Sequence, residues 1–265
     1  MNYLINPYAI VQFVAAGITL ILLIQMRKRR NSRGGRCLFF QFVAVFIWVL
    51  AAGFEAAAVG QDLKVFWSVI LYVGSMVTPV IYFLFAREYS GKFSVVEVDK
   101  IWLLFLIPAA TVTLAGTNQW HGLIWPAFHP GPPGTNSLVY DHGTFFWVAM
   151  AYAFILVASG SYILFVTSVQ SQRIYKRQNR LFTLAALFPI VAAFFYLTNL
   201  NPFPGLDLVP IGFMFTGIFL LLAMGREKLL DLVPVSHEFL LENIDDGILV
   251  VDENMRIIDA NAATE

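Results

Sequence analysis

Seven side chains carry most of the chemistry this sequence offers: Glu55, Asn118, His121, Trp125, His142, Trp147 and Asp207. Glu55 stands in the run AAGFEAAAV, where an ionisable group surrounded by hydrocarbon is costly and so marks a functional position by default. The plain alternative is that Glu55 reaches interfacial water or pairs with a donor from a loop. Asn118, His121 and His142 belong with His129 and Asp141 to one polar and aromatic stretch, NQWHGLIWPAFHPGPPGTNSLVYDHG, at 118–143. Trp120, Trp125 and Trp147 provide apolar walls for a small molecule held among these polar groups. Three histidines in one stretch raise the question of a metal, but His121, His129 and His142 fit no compact ligand spacing, so no metal site is expected. No phosphate-cradling glycine loop, nucleotide-binding box or aspartate cluster for magnesium is visible. No cofactor and no catalytic residues are expected. Cys37 is the single cysteine and forms no internal disulfide.

The elements that must position these groups are membrane spans. Apolar residues make up 58% of the chain and charged residues 13%, about half the ~25% usual for soluble domains. Mean hydropathy is +0.71. A helix needs ~20 apolar residues to cross the hydrocarbon layer. Seven stretches qualify: Tyr8–Met26, Cys37–Val59, Val65–Ala86, Ile101–Thr117, Thr144–Ser168, Leu181–Leu200 and Leu208–Gly225. The fourth is the shortest, and Pro108 is expected to kink it. Basic residues fill every second connection. Arg27, Lys28, Arg29, Arg30, Arg33 and Arg36 follow the first stretch; Arg87, Lys92 and Lys100 the third; Arg173, Lys176, Arg177 and Arg180 the fifth; Arg226 and Lys228 the seventh. Lys64 alone is basic in the opposite set. The positive-inside rule then places the N-terminus outside and the C-terminus in the cytoplasm. The basic clusters read as anchors against anionic lipid. With no positive charge before Gln25, the first stretch reads as an inserted helix rather than a cleavable leader.

On this topology Glu55 lies about one turn from the outer end of the second helix, and Asp207 at the outer start of the seventh. Asn199 and Asn201 close the sixth. Segment 118–143 lies outside, too aromatic for a tether, and is expected to fold over the helix ends as a lid. After Gly225 the composition changes. Residues 226–236 read as a linker, Ser236 as the cap of a helix over His237–Asn243, and Ile248–Val251 and Arg256–Ala260 as two strands of a hairpin. A lone hairpin is marginal in water, so it reads as the opening of a larger domain.

The lid motif Asn118-Gln119-Trp120-His121-Gly122-Leu123-Ile124-Trp125 resembles that of the seven-helix N-terminal sensor region of histidine kinases. So do Tyr140-Asp141-His142-Gly143 with Phe146-Trp147, Pro204-Gly205-Leu206-Asp207-Leu208, Glu55, Glu88-Tyr89-Ser90-Gly91, and the exit run Leu229 to Val235. The resemblance covers residues 8 to 235. Glu242-Asn243-Ile244-Asp245-Asp246-Gly247-Ile248 through Asp259-Ala260-Asn261-Ala262-Ala263 resembles the start of a PAS domain. The implied fold is an all-α polytopic membrane protein, a seven-transmembrane-helix bundle with a partial α/β PAS-like cytoplasmic segment. Its implied domains are a sensor at 1–225, a linker at 226–236 and the N-terminal portion of a PAS domain at 237–265.

The implied function is that of an input module. It detects a signal on the outer face or in the membrane and relays it through helix 7 to cytoplasmic PAS and output modules. The implied location is a prokaryotic plasma membrane, crossed several times. The expected partners are membrane lipids, a small-molecule ligand on the outer face, a second copy in a homodimer, and cytoplasmic kinase or PAS modules or a response regulator. Nucleic acid is not among them. The same module on a nucleotide cyclase or a stand-alone signalling protein is the alternative. A metal hydrolase needs histidines at membrane depth, and none of the four lies in a stretch. A rhodopsin-type light sensor needs a lysine in the seventh stretch, which has none. A transporter would be built of matching half-chain repeats, which are not evident. Ser236-His237-Glu238-Phe239 looks like a phosphoacceptor box, but Leu240-Leu241-Glu242 departs from its continuation, so His237 reads as a linker residue.

Overall fold

The computed structural model describes residues 2–28, 30, 34–91, 98–132 and 134–170, scattered positions from 181 to 216, and then 249–251, 257–260 and 262–264. Helix α1 (Pro7–Lys28) begins where its sequence provides a start. Asn6 Oδ1 accepts the Ala9 N–H at 2.8 Å, and Pro7 takes the first helical position, where a missing N–H is harmless. Helices α2 (Gly35–Ala57), α3 (Gln61–Ser90) and α5 (Thr144–Gln170) follow the same apolar logic. Each of these four contains a stretch long and apolar enough to cross a membrane. The shortest such stretch, Pro7–Arg27, has 21 residues, which at 1.5 Å per residue covers the ~30 Å of hydrocarbon.

The fourth expected span is built differently. Val98–Phe105 is a 3-10 helix that runs into helix α4 (Leu106–Gly116). The apolar helix Lys100–Gly116 is shorter than the other four. Pro108 is the third residue of α4, in the first turn, where backbone N–H groups have no intrahelical acceptor. The kink expected at Pro108 is therefore a helix start. The described positions from 181 to 195 and from 209 to 216 are helical and fall in the sixth and seventh expected stretches. Asn199, Asn201, Asp207, the linker and His237 lie outside the described residues.

Helix α2 packs between α1 and α3, and α3 packs in turn on α4 and α5. At the end carrying the basic residues, Leu22, Leu38, Phe42, Phe85, Tyr89 and Leu164 form a core drawn from α1, α2, α3 and α5. At the opposite end, Tyr72, Met76, Ala115, Ile124, Trp125 and Phe146 join α3, α4, α5 and the 118–143 segment. Trp48 is buried midway along α2, with its ring centroid 5.4 Å from that of Phe213. Strands β3 (Leu249–Val251) and β4 (Ile257–Ala260) pair antiparallel, as the hairpin reading expects, with a bulge between Val250 and Val251.

Candidate functional site

Segment 118–143 is an ordered cap whose centre is Asn118. That side chain is buried and satisfies three backbone groups of its own loop. Its Nδ2 donates to Trp125 O at 2.8 Å, and its Oδ1 accepts from Ile124 N at 3.1 Å and Trp125 N at 2.9 Å. The turn so formed drives Ile124 and Trp125 into the helix ends, where Trp125 lies 5.3 Å from the Tyr72 ring. Gly143 completes the fit, because a Cβ there would collide with Leu123 O. Strands β1 (Phe128–Pro130) and β2 (Leu138–Tyr140) then form a short antiparallel hairpin, with Phe128 opposite Tyr140.

The hairpin delivers one hydroxyl to the helix ends. Tyr140 donates to Glu55 Oε1 at 2.9 Å and accepts from Ser68 Oγ at 2.9 Å. Lys64 stands 3.8 Å from the same carboxylate oxygen and donates to the Glu55 backbone carbonyl at 2.8 Å. The side chains of Lys64 and Glu55 are 5% and 17% exposed. Glu55 thus pairs with a loop donor and with a cation, and the network joins α2, α3 and the lid. The last carbonyls of α2 find partners in the same region. Ala56 O accepts from Asn6 Nδ2 at 2.8 Å, Ala57 O from Leu4 N at 2.7 Å, and Ala58 O from Asn136 Nδ2 at 3.0 Å. These orphan groups of a helix end are satisfied by the N-terminal segment and the lid together. Asn136 does this from a left-handed backbone, φ +49°.

The histidines have separate duties. His121 Nδ1 accepts from Leu123 N at 3.0 Å, so its proton sits on Nε2, which faces Thr117 Oγ1 at 3.1 Å. The Thr117 hydroxyl in turn donates to Thr113 O. His129 Nε2 meets Asp141 Oδ2 at 3.1 Å on the exposed side of the hairpin. His142 stacks on Phe146 with centroids 3.8 Å apart, and Trp147 meets its edge. Burial there pushes the His142 pKa below its ordinary value, against the opposing pull of the neighbouring Asp141. Among the described residues no three His, Cys, Asp or Glu side chains gather as a metal site.

The seven expected residues therefore separate into groups. Glu55 lies in the latch, while Asn118, His121 and Trp125 build the lid. His142 and Trp147 pack together at the start of α5, with Trp147 half exposed. Asp207 lies outside the described residues. Three latch residues were not among the seven: Lys64, Ser68 and Tyr140. Lys64 carried a signal, as the one basic residue in its set of connections, nine positions from Glu55. A shallow, open depression beside the α2–α3 turn is lined by Asn2, Gly60, Gln61, Asp62 and Phe66 among others. None of the seven lines it.

A family model described as the N-terminal 7TM region of histidine kinase matches residues 11–234. No curated protein matches the chain.

Proposed function

This chain belongs to the family of N-terminal seven-transmembrane regions of histidine kinases, and from that premise we propose that it is a sensor input module whose outer lid reports ligand binding to the helices. In this reading residues 1–225 form seven spans with the N-terminus outside, 226–236 form a linker, and 237–265 begin a PAS domain. The observation that carries it is the Tyr140–Glu55 hydrogen bond, which ties the lid to the α2–α3 hairpin through a buried carboxylate. A ligand that competes for either group favours one lid arrangement over the other, and only such differential affinity shifts a conformational equilibrium. In this proposal Glu55, Trp147 and Asp207 contribute ligand contacts, while Asn118, His121, Trp125 and His142 set the shape of the cover. The Phe213–Trp48 ring contact and the Thr216 hydroxyl bond to Ala185 O at 2.6 Å support a path from α2 toward the last spans, and from there to the proposed dimeric cytoplasmic output.

Two measurements test this reading. A thermal-shift ligand screen on the protein in nanodiscs would compare wild type with Glu55→Gln and Asp207→Asn. Weaker binding in either variant is expected, and unchanged affinity in both removes these carboxylates from the scheme. Accessibility tagging should find the two termini on opposite sides of the membrane.

A further inference from the structure

Helix α3 carries Pro79 in its interior. Proline has no backbone N–H, so the carbonyl of Ser75, four residues earlier, lacks its α-helical donor. Thr78 does not repair the gap, because its hydroxyl donates to Gly74 O at 2.8 Å. The Ser75 hydroxyl is itself buried, at 6% residue exposure, and has no hydrogen-bond partner among the described residues. Helix α2 passes at the same level. A Cβ on Gly74 would lie 2.7 Å from Trp48 N and would collide with Ala44 O, so the two backbones are in direct contact. The Trp48 indole N–H is buried and likewise has no partner among the described residues. Two turns back along α2, Gln41 is buried with its Oε1 in the same condition. The helices are antiparallel, so the contact of 74 with 44 and 48 sets position 41 near the level of Pro79.

Three polar side chains, each more than nine-tenths buried, therefore lie along the α2–α3 contact near the level of one broken helical hydrogen bond. Buried polar groups are satisfied almost without exception in native proteins, and proline in a membrane helix is tolerated where ordered water or neighbouring groups take up the freed carbonyl. We propose that the α2–α3 crossing is a binding site for ordered water: one molecule accepts the Trp48 indole N–H and donates to the hydroxyl and carbonyl oxygens of Ser75, and a second donates to Gln41 Oε1. A buried water makes about three such bonds, the number Trp48 and Ser75 supply to the first molecule. A larger guest does not suit a crossing at which the backbones touch. The site stands whatever signal the lid detects, because none of its residues belongs to the lid or the latch.

The test uses the protein in nanodiscs with 15N-labelled tryptophan. Magnetisation transfer from water to the Trp48 indole N–H is expected, and Ser75→Ala, which removes one of the water's partners, should weaken it. In thermal denaturation, Ser75→Ala, Trp48→Phe and the double variant should be non-additive, since a shared water couples the two positions. A wild-type Trp48 indole with no water contact overturns the proposal, whether or not the variants fold. An undiminished contact in Ser75→Ala, or strict additivity, also overturns it.

Discussion

Replacing Tyr140 by Phe isolates the latch from the packing around it. The phenyl ring keeps its place 5.5 Å from Trp125 and 5.6 Å from Phe128. What disappears is the hydroxyl, and with it the 2.9 Å bond to Glu55 and the 2.9 Å bond from Ser68. A hydrogen bond to a charged group contributes about 1.5 to 3 kcal/mol and a neutral one about 1 kcal/mol, so the docked lid should lose roughly 2 to 4 kcal/mol. At 1.4 kcal/mol per factor of ten, the open lid becomes roughly 30 to 700 times more populated. Hydrogen exchange reads this directly at the Gly131 amide, bonded to Ser137 O, and the Asp141 amide, bonded to Ala127 O. Both should exchange faster by that factor, while amides in the α1–α2 interface should not. Ser68→Ala leaves the Glu55 bond in place and should produce only about 1 kcal/mol of the effect. Unchanged exchange at Gly131 and Asp141, or equal effects of the two substitutions, would refute the assignment of Tyr140 as the latch.

Asn118→Ala removes three hydrogen bonds from a buried turn and should cost about 2 to 4 kcal/mol, seen as loss of the buried Trp125 fluorescence environment before the helices unfold. Gly74→Ala forces α2 and α3 apart where their backbones touch and should lower thermal stability by about 1 to 3 kcal/mol, whereas Gly17→Ala, where nothing stands within 4 Å, should be tolerated. His142 supplies a pH dependence. Its folded pKa is depressed by burial, so the unfolded chain binds more protons once the pH drops below the ordinary value near 6.5. The contribution is present above that pH and declines as the pH falls through it, and melting temperatures across this window should flatten in His142→Phe.

The sequence exposes the spans more readily than the latch for a physical reason. Length and apolarity are local properties, so α1, α2, α3 and α5 appear within a few residues of their expected bounds. The largest difference is at α3, expected over Val65–Ala86 but running from Gln61 to Ser90. Its extra first turn holds Lys64, a cation that joins a helix in an apolar setting because Glu55 is there to receive it. Pro108 shows the same limit: the residue that kinks an established helix also starts one, and only the 3-10 segment before it decides between the two. Site residues depend on contacts between elements, which residue type does not encode. Asn118 has the chemistry of a ligand contact, yet it spends its hydrogen bonds on its own loop.

Glu55 was legible because burying a carboxylate demands a partner, but the demand does not name the partner. The tyrosine that answers it lies 85 positions away on a hairpin whose register must be set first. That register places Tyr140 opposite Phe128, and the pair closes over Trp125. The latch exists only with the lid folded and docked, so it depends on that position and also stabilises it. On the proposed sensor reading a signal need not break the bundle to be felt: displacing the hairpin enough to draw the Tyr140 hydroxyl away from Glu55 takes one partner from a carboxylate that Lys64 still faces. In that reading the change is felt first at α2 and α3, the two helices that carry Glu55 and Lys64.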